Sequence, residues 1–428
     1  MISIAYNMKY KQIITALALA AFIFTGCEKA NIDVDTTPQD GSAIGEVSGV
    51  WAKGSVHEIK GDIVIPEGKS LTIEEGVTVL MDVTAKPEIV IKGNLYSLGT
   101  ADNPVKFTVS DVYRTEANKF GKLWGGLLAG PTCAELVLDH TILEYGGATT
   151  SDASTSVKMG LYKAVAGENL PALWFSNING KLVVTNSIIR NFQEDCTYIE
   201  GGKSIFANNV FYTTGVTGGE AMNFKSGCLA DIAYNLIYSC NTNALKLSNT
   251  GDRTPQAYII AYNNTMVNTG WRRPTAKGGS VWLEATVRAD LYNNLFANTR
   301  YGIKRDPKKL EDSRSKNDYN WYYGFAQATV DQFQVGKNDV VTGGAHDVRG
   351  TKAAENDPKF VNYPVSNSVV SPDYNVSWDF HLQGNSAALA KGTTNFTRHH
   401  KAGLTMANGM TYTSPEPNVY IGAYGVKP

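Results

Sequence analysis

Cysteine is scarce in this chain: five in 428 residues, with no Cys-x-x-Cys pair and no zinc-ligand spacing. That excludes a disulfide-stapled miniprotein and a sequence-defined zinc site. Apart from Cys27, the cysteines are Cys133, Cys196, Cys228 and Cys240, and their spacing leaves open whether they pair or serve as small buried hydrophobes. Charge is also sparse, at 18% of residues. The lysines and arginines form no basic stripe and no RNA-binding motif, so nucleic acid is not an expected partner. The six histidines include one adjacent pair, His399-His400, with no further ligand at metal-binding spacing, and no metal site is predicted. The apolar run Ile13 to Phe24 is too short to span a bilayer.

That run follows Lys9 and Lys11 and so has the layout of a targeting segment. It ends in Phe24-Thr25-Gly26-Cys27, which resembles the lipobox of bacterial lipoproteins, with Phe where that family usually has Leu. The resemblance implies a signal peptide over 1–26, a lipid on the Cys27 sulfur and attachment to a membrane through it. Removing the two lysines of 1–26 leaves 37 basic against 40 acidic groups, a formal charge of −3. Residues 27–49 have the composition of a solvated tether. Acids directly behind the lipidated cysteine (Glu28, Asp33, Asp35) resemble the surface-export signal of Bacteroidota lipoproteins, which implies an outer-membrane anchor in the cell envelope and surface exposure.

What the chain has in quantity is repetition. Thr185-Asn186-Ser187-Ile188-Ile189, Ala207-Asn208-Asn209-Val210-Phe211, Tyr234-Asn235-Leu236-Ile237-Tyr238, Tyr262-Asn263-Asn264-Thr265-Met266 and Tyr292-Asn293-Asn294-Leu295-Phe296 are near copies. Their leading asparagines, 186, 208, 235, 263 and 293, are 22, 27, 28 and 30 residues apart. Short β-prone strands with asparagine at a fixed corner predict a β-solenoid. The asparagines are expected to stack at a bend, each amide bonding to the neighbouring coil. A second strand series alternates so that Phe175, Ile199, Phe224, Leu247 and Leu283 share one face.

The N-terminal part adds a more specific likeness. Gly61-Asp62-Ile63-Val64-Ile65-Pro66-Glu67-Gly68 through Val79, Ile89-Val90-Ile91-Lys92-Gly93-Asn94-Leu95 and Gly99 to Thr108 resemble the opening coils of pectin-lyase-like proteins. Asp357-Pro358-Lys359-Phe360, Asp379-Phe380-His381-Leu382 and Ile421-Gly422-Ala423-Tyr424 resemble their closing segment. The resemblance covers about 55–425 and implies an all-β, right-handed parallel β-helix forming one domain over 50–428. Long polar stretches near 146–170 and 306–356 are read as loops that could overhang a wall of the solenoid. The fold hosts lyases, hydrolases, esterases and non-catalytic adhesins, so it names no activity. The coils carry none of the Asn-x-Asp, Asp-Asp and Gly-His-Gly strings of polygalacturonases, nor the Trp-Ile-Asp-His string of pectate lyases.

Aligning the second strand series gives an outward column of Trp174, Tyr198, Asn223, Lys246, Trp282 and Lys304. Two positions along lies another: Ser176, Glu200, Lys225, Ser248, Glu284 and Asp306. Six rungs span roughly 24 Å, the length of a short oligosaccharide. Aromatic faces with lysine and asparagine between them suit sugar rings. The leading expectation is therefore a cell-surface protein that binds a polysaccharide or host glycan along this column. The alternatives are a lyase or glycoside hydrolase acting on an acidic polysaccharide, and a structural adhesin. For an enzyme, the candidates are Lys246 or Lys304 as a base, if burial or a neighbouring cation lowers its pKa, and Glu284 with Asp306 as calcium ligands or a retaining carboxylate pair.

Overall fold

The computed structural model describes residues 42–216, 218–273, 278–366 and 371–427; Cys27, the signal peptide and most of the tether lie outside them. The chain winds as a parallel β-solenoid of about 10 turns with almost no helix. Each full turn contributes three short strands. In one turn these are Leu173–Phe175, Lys181–Thr185 and Ile188–Phe192, and the next turn repeats them at Thr197–Ile199, Gly202–Ala207 and Val210–Thr214. Stacked in parallel, the three series make sheet 1, sheet 2 and sheet 3 in that order. Sheet 2 runs through ten strands, from Gly49–Trp51 to Lys316–Asp318. Strand Val56–Ile65 belongs to sheet 3 with its first half and to sheet 1 with its second.

The solenoid begins earlier than the composition suggested. Ser42–Glu46, read as tether, already pairs with Val56–Ile65. Alternation then explains the core. Phe175, Ile199, Phe224, Leu247 and Leu283 all point inward and are buried, as half-buried strands require.

The corner between sheets 2 and 3 is made of two residues with different tasks. The first is left-handed: φ is 52° at Asn186, 59° at Asn208, 57° at Tyr234, 50° at Asn263, 57° at Asn293 and 60° at Tyr319. Asparagine tolerates that region better than other non-glycine residues. The second residue builds a ladder. Asn209 Nδ2 donates to Asn235 Oδ1, Asn235 to Asn264 and Asn264 to Asn294, each at 2.9 Å, and Asn294 donates to Asn320 at 3.1 Å. The backbone N–H of Asn209 donates to the same Asn235 Oδ1 at 3.1 Å. Asn235 is therefore one position out of step with the other leading asparagines, since Tyr234 holds the left-handed site. Tyr319-Asn320 is a sixth corner, and Trp321–Tyr323 its strand. The stretch 306–356, expected to be one long loop, thus contains the last coil.

The C-terminal residues cover two of the three walls. On sheet 3, outward Tyr212, Tyr238, Val267, Trp321 and Tyr323 pack under Phe360, Tyr363 and Phe380, with Tyr374 and Trp378 alongside. On sheet 2, outward Tyr96, Val137, Val183 and Ile205 pack under Leu404 and Met406. His399-His400 belongs to this covering: the backbone N–H groups of both donate to buried Asp231, at 3.1 and 2.8 Å. Cys133, Cys196, Cys228 and Cys240 are buried free thiols.

Candidate functional site

Sheet 1 keeps an open stretch. Its outward side chains run in register as Val64, Val90, Leu128, Trp174, Tyr198, Asn223, Lys246, Trp282 and Lys304. The apolar top of this column is roofed by the loop near 146–170, whose Leu161 and Leu170 pack on Val90, Leu128 and Trp174. Tyr162 from the same loop stands edge-on to Trp174 and Tyr198, with ring centroids 6.3 and 5.4 Å away. Where the roof ends, a cavity of about 520 Å³ opens. Its floor is Tyr198, Asn223, Lys225 and Lys246; its sides carry Asp195, Glu220, Thr242 and Arg273.

Of the residues expected from sequence, Tyr198, Asn223 and Lys246 line this cavity and Trp174, Trp282, Lys304, Glu284 and Asp306 do not. Trp174 and Trp282 are only 4% and 3% exposed, so neither offers an open ring face. Their indole N–H groups donate to Glu200 at 2.7 Å and to Glu284 at 2.9 Å. Lys304 is buried over the Tyr301 ring, 4.1 Å from its centroid. Asp306 accepts the Lys308 backbone N–H at 2.9 Å in a local turn. Glu200 pairs with Arg253 at 3.0 Å. Among the described residues no three His, Cys, Asp or Glu side chains gather as metal ligands.

Asp195 and Glu220 are the residues that strand alignment missed. They precede Thr197–Ile199 and Met222–Phe224 by two positions each, and Asn243 precedes Leu245–Ser248 likewise. Carrying the column three residues upstream would have stacked both acids. Asp195 Oδ1 accepts the backbone N–H groups of Gly219 and Glu220, both at 2.9 Å, and Oδ2 accepts Asn223 Nδ2 at 3.0 Å. Burial works against its charge, but these bonds and one from the Glu220 carboxyl hold Asp195 below the ordinary carboxylate range. Burial, and then the Asp195 charge, push Glu220 well above it. Neighbouring buried carboxyls split in this way because two like charges disfavour each other, so the proton stays on Glu220.

The lysines divide in the opposite sense. Burial, with Lys246 as the next cause, lowers Lys225 to about 8. At Lys246 burial opposes the charge, but Glu220, Glu284 and Asp195 hold it above the ordinary lysine value. Lys246 Nζ lies 3.8 Å from Glu220 Oε1. Three polar oxygens here lack a hydrogen-bond partner: Asn223 Oδ1, Thr242 Oγ1 and Asn243 Oδ1. The Asn223 orientation is fixed because its NH₂ must face Asp195. The Arg272 side chain donates to the carbonyls of Ser239, Gly215 and Thr214. It therefore clamps backbone, whereas Arg273 beside it reaches the cavity.

The arrangement offers a polar recess with two ammonium groups, hydroxyl-accepting oxygens and tyrosine rings, set on a rigid parallel sheet. No protein-family model matches the chain, and no curated protein matches it.

Proposed function

We propose that this chain is a lipid-anchored cell-surface β-helix of the pectin-lyase-like kind that binds a polysaccharide or host glycan in the sheet 1 cavity. The observation that carries this reading is the placement of that cavity. It lies on the wall that the C-terminal residues leave open, and its floor is a register column of tyrosine, asparagine and lysine. Concave sites with a few fixed polar groups among aromatic walls are what saccharide-sized ligands need.

A lyase activity is the second reading, favoured by Lys225. A base for proton abstraction works best with a pKa near the working pH, and Lys225 meets that condition where Lys246 does not. A retaining hydrolase is less well supported. Its carboxyls stand about 5 Å apart, and Glu284 and Asp306, the pair read from the sequence, do not line the cavity.

The test is a panel of plant, algal and host polysaccharides, with and without calcium, incubated with the full chain in detergent. Retained binding without cleavage supports the binding reading. A rise in unsaturated-uronate absorbance moves the assignment to a lyase, and new reducing ends without that absorbance move it to a hydrolase. Neither binding nor cleavage across the panel rejects the proposal and leaves the adhesin.

A further inference from the structure

Lys225 is 7% exposed, and no carboxylate stands within ion-pairing distance of it among the described residues. Its ammonium lies 5.4 Å above the Tyr198 ring centroid, its one cation–π contact there. A buried lysine without a counter-charge is costly and rare in a folded protein. Lys246, on the next rung, has only the 3.8 Å approach of Glu220, which keeps its proton beside Asp195. Beside them, Asn223 is 2% exposed and its Oδ1 is unpartnered, as is Thr242 Oγ1. All four residues line the same cavity.

We propose that Lys225 and Lys246 together seat one anionic group, a carboxylate or sulfate, of an acidic saccharide, while Asn223 Oδ1 and Thr242 Oγ1 accept its neighbouring hydroxyls. This rests on the reading that the cavity binds a glycan. Arg273 also lines the cavity and adds a third cation beside the seat. Lys163 pairs with Glu168 at 2.5 Å on the rim. Asn169 Nδ2 donates to Glu194 Oε2 at 3.5 Å. The Asp195 oxygens are already filled by the backbone N–H groups of Gly219 and Glu220, by Asn223 and by the Glu220 carboxyl. Asp195 thus acts as a positioning residue: by accepting the Asn223 NH₂ it fixes which way that amide points.

The experiment is calorimetric titration of the full chain in detergent with matched probes: homogalacturonan, alginate, hyaluronan and dextran sulfate against carboxyl-reduced homogalacturonan, dextran and a mannan. The expected result is binding confined to acidic probes, with at least a tenfold loss in Lys225→Met and in Lys246→Met. The carboxylate and sulfate arms separate the two anion chemistries. Lys225→Met is also expected to raise the melting temperature, because it replaces an unpaired buried charge by a group of similar shape. A lysine with a structural role would lower it, so lost binding with raised stability cannot be misfolding. A neutral probe that binds as tightly as its acidic partner, or unchanged acidic binding in Lys225→Met, overturns the inference and leaves the glycan reading standing. No binding to any probe overturns both.

Discussion

Two polar columns climb this solenoid, and they differ in how completely their groups are satisfied. At the corner between sheets 2 and 3, the amides of Asn209, Asn235, Asn264, Asn294 and Asn320 bond one to the next. On sheet 1, Tyr198, Asn223 and Lys246 are equally well stacked, yet an amide oxygen beside them has no partner. The asparagine column repeats one residue type and closes on itself. The sheet 1 column changes residue at every rung and stays open toward a cavity. Buried polar groups in native proteins are normally paired. The lesson is that stacking alone does not mark a site; stacking with unmet hydrogen-bonding capacity does.

The largest effect should come from breaking the closed column. Asn264→Ala removes three donor bonds, to Asn294 Oδ1, Ile232 O and Tyr262 O, and strands the Asn235 groups that bond to its oxygen. We expect a loss of about 4 kcal/mol in chemical denaturation, at the upper end of single-residue effects. A loss below about 1 kcal/mol would mean that the ladder is incidental.

The open column should respond in the opposite direction. Lys225 has its folded-state pKa depressed to about 8 from 10.5, so the folded chain binds this proton less well than the unfolded one. Protonated Lys225 therefore destabilises the fold fully below about 8, and that cost fades as pH rises toward 10.5. Lys225→Met should gain on the order of 3 kcal/mol at neutral pH and flatten the alkaline part of the stability profile. A stability that falls would remove the contrast between the columns.

A smaller, sharper effect should follow Glu220→Gln. Glu220 has a raised folded pKa. Its stabilising contribution is complete below the ordinary value of 4.5 and is lost as pH climbs through the raised one. The slope is at most about 1.4 kcal/mol per pH unit. The variant should lose that slope in pH-dependent thermal denaturation, and an unchanged profile would argue against the proton on Glu220.

Much of this contrast was legible in the sequence, because a repeat exposes its register. The rungs Trp174, Tyr198, Asn223, Lys246, Trp282 and Lys304 follow from alternation alone, and the strands pair in that order. The burial of Trp174 and Trp282 was not legible, since it depends on which loops and neighbouring rungs close over them. Asp195 and Glu220 escaped notice because they sit in the turns before the strands, where period-2 patterning has no voice. The Tyr234-Asn235 and Tyr319-Asn320 corners were misread for a related reason. Tyrosine can occupy the left-handed position, so counting leading asparagines shifts one corner by a residue and loses another. The C-terminal covering of sheets 2 and 3 left no periodic trace at all.

That covering has a consequence for how the molecule comes apart. A bare solenoid is nearly one-dimensional, each coil held mainly by the coils on either side, so it can fray from an end. Here Tyr234 and Tyr262 donate to the carbonyls of Glu416 and Pro415, Asp231 accepts Ser414 Oγ at 2.5 Å, and Lys181 reaches Thr405 O at 2.5 Å. Met406 rests on the wall that holds Tyr96 and Val137. Residues 404–416 therefore tie early rungs to middle ones, like a splint laid along a stack of coins. Loss of the residues after about 395 would uncover apolar wall along many turns at once, not remove one coil.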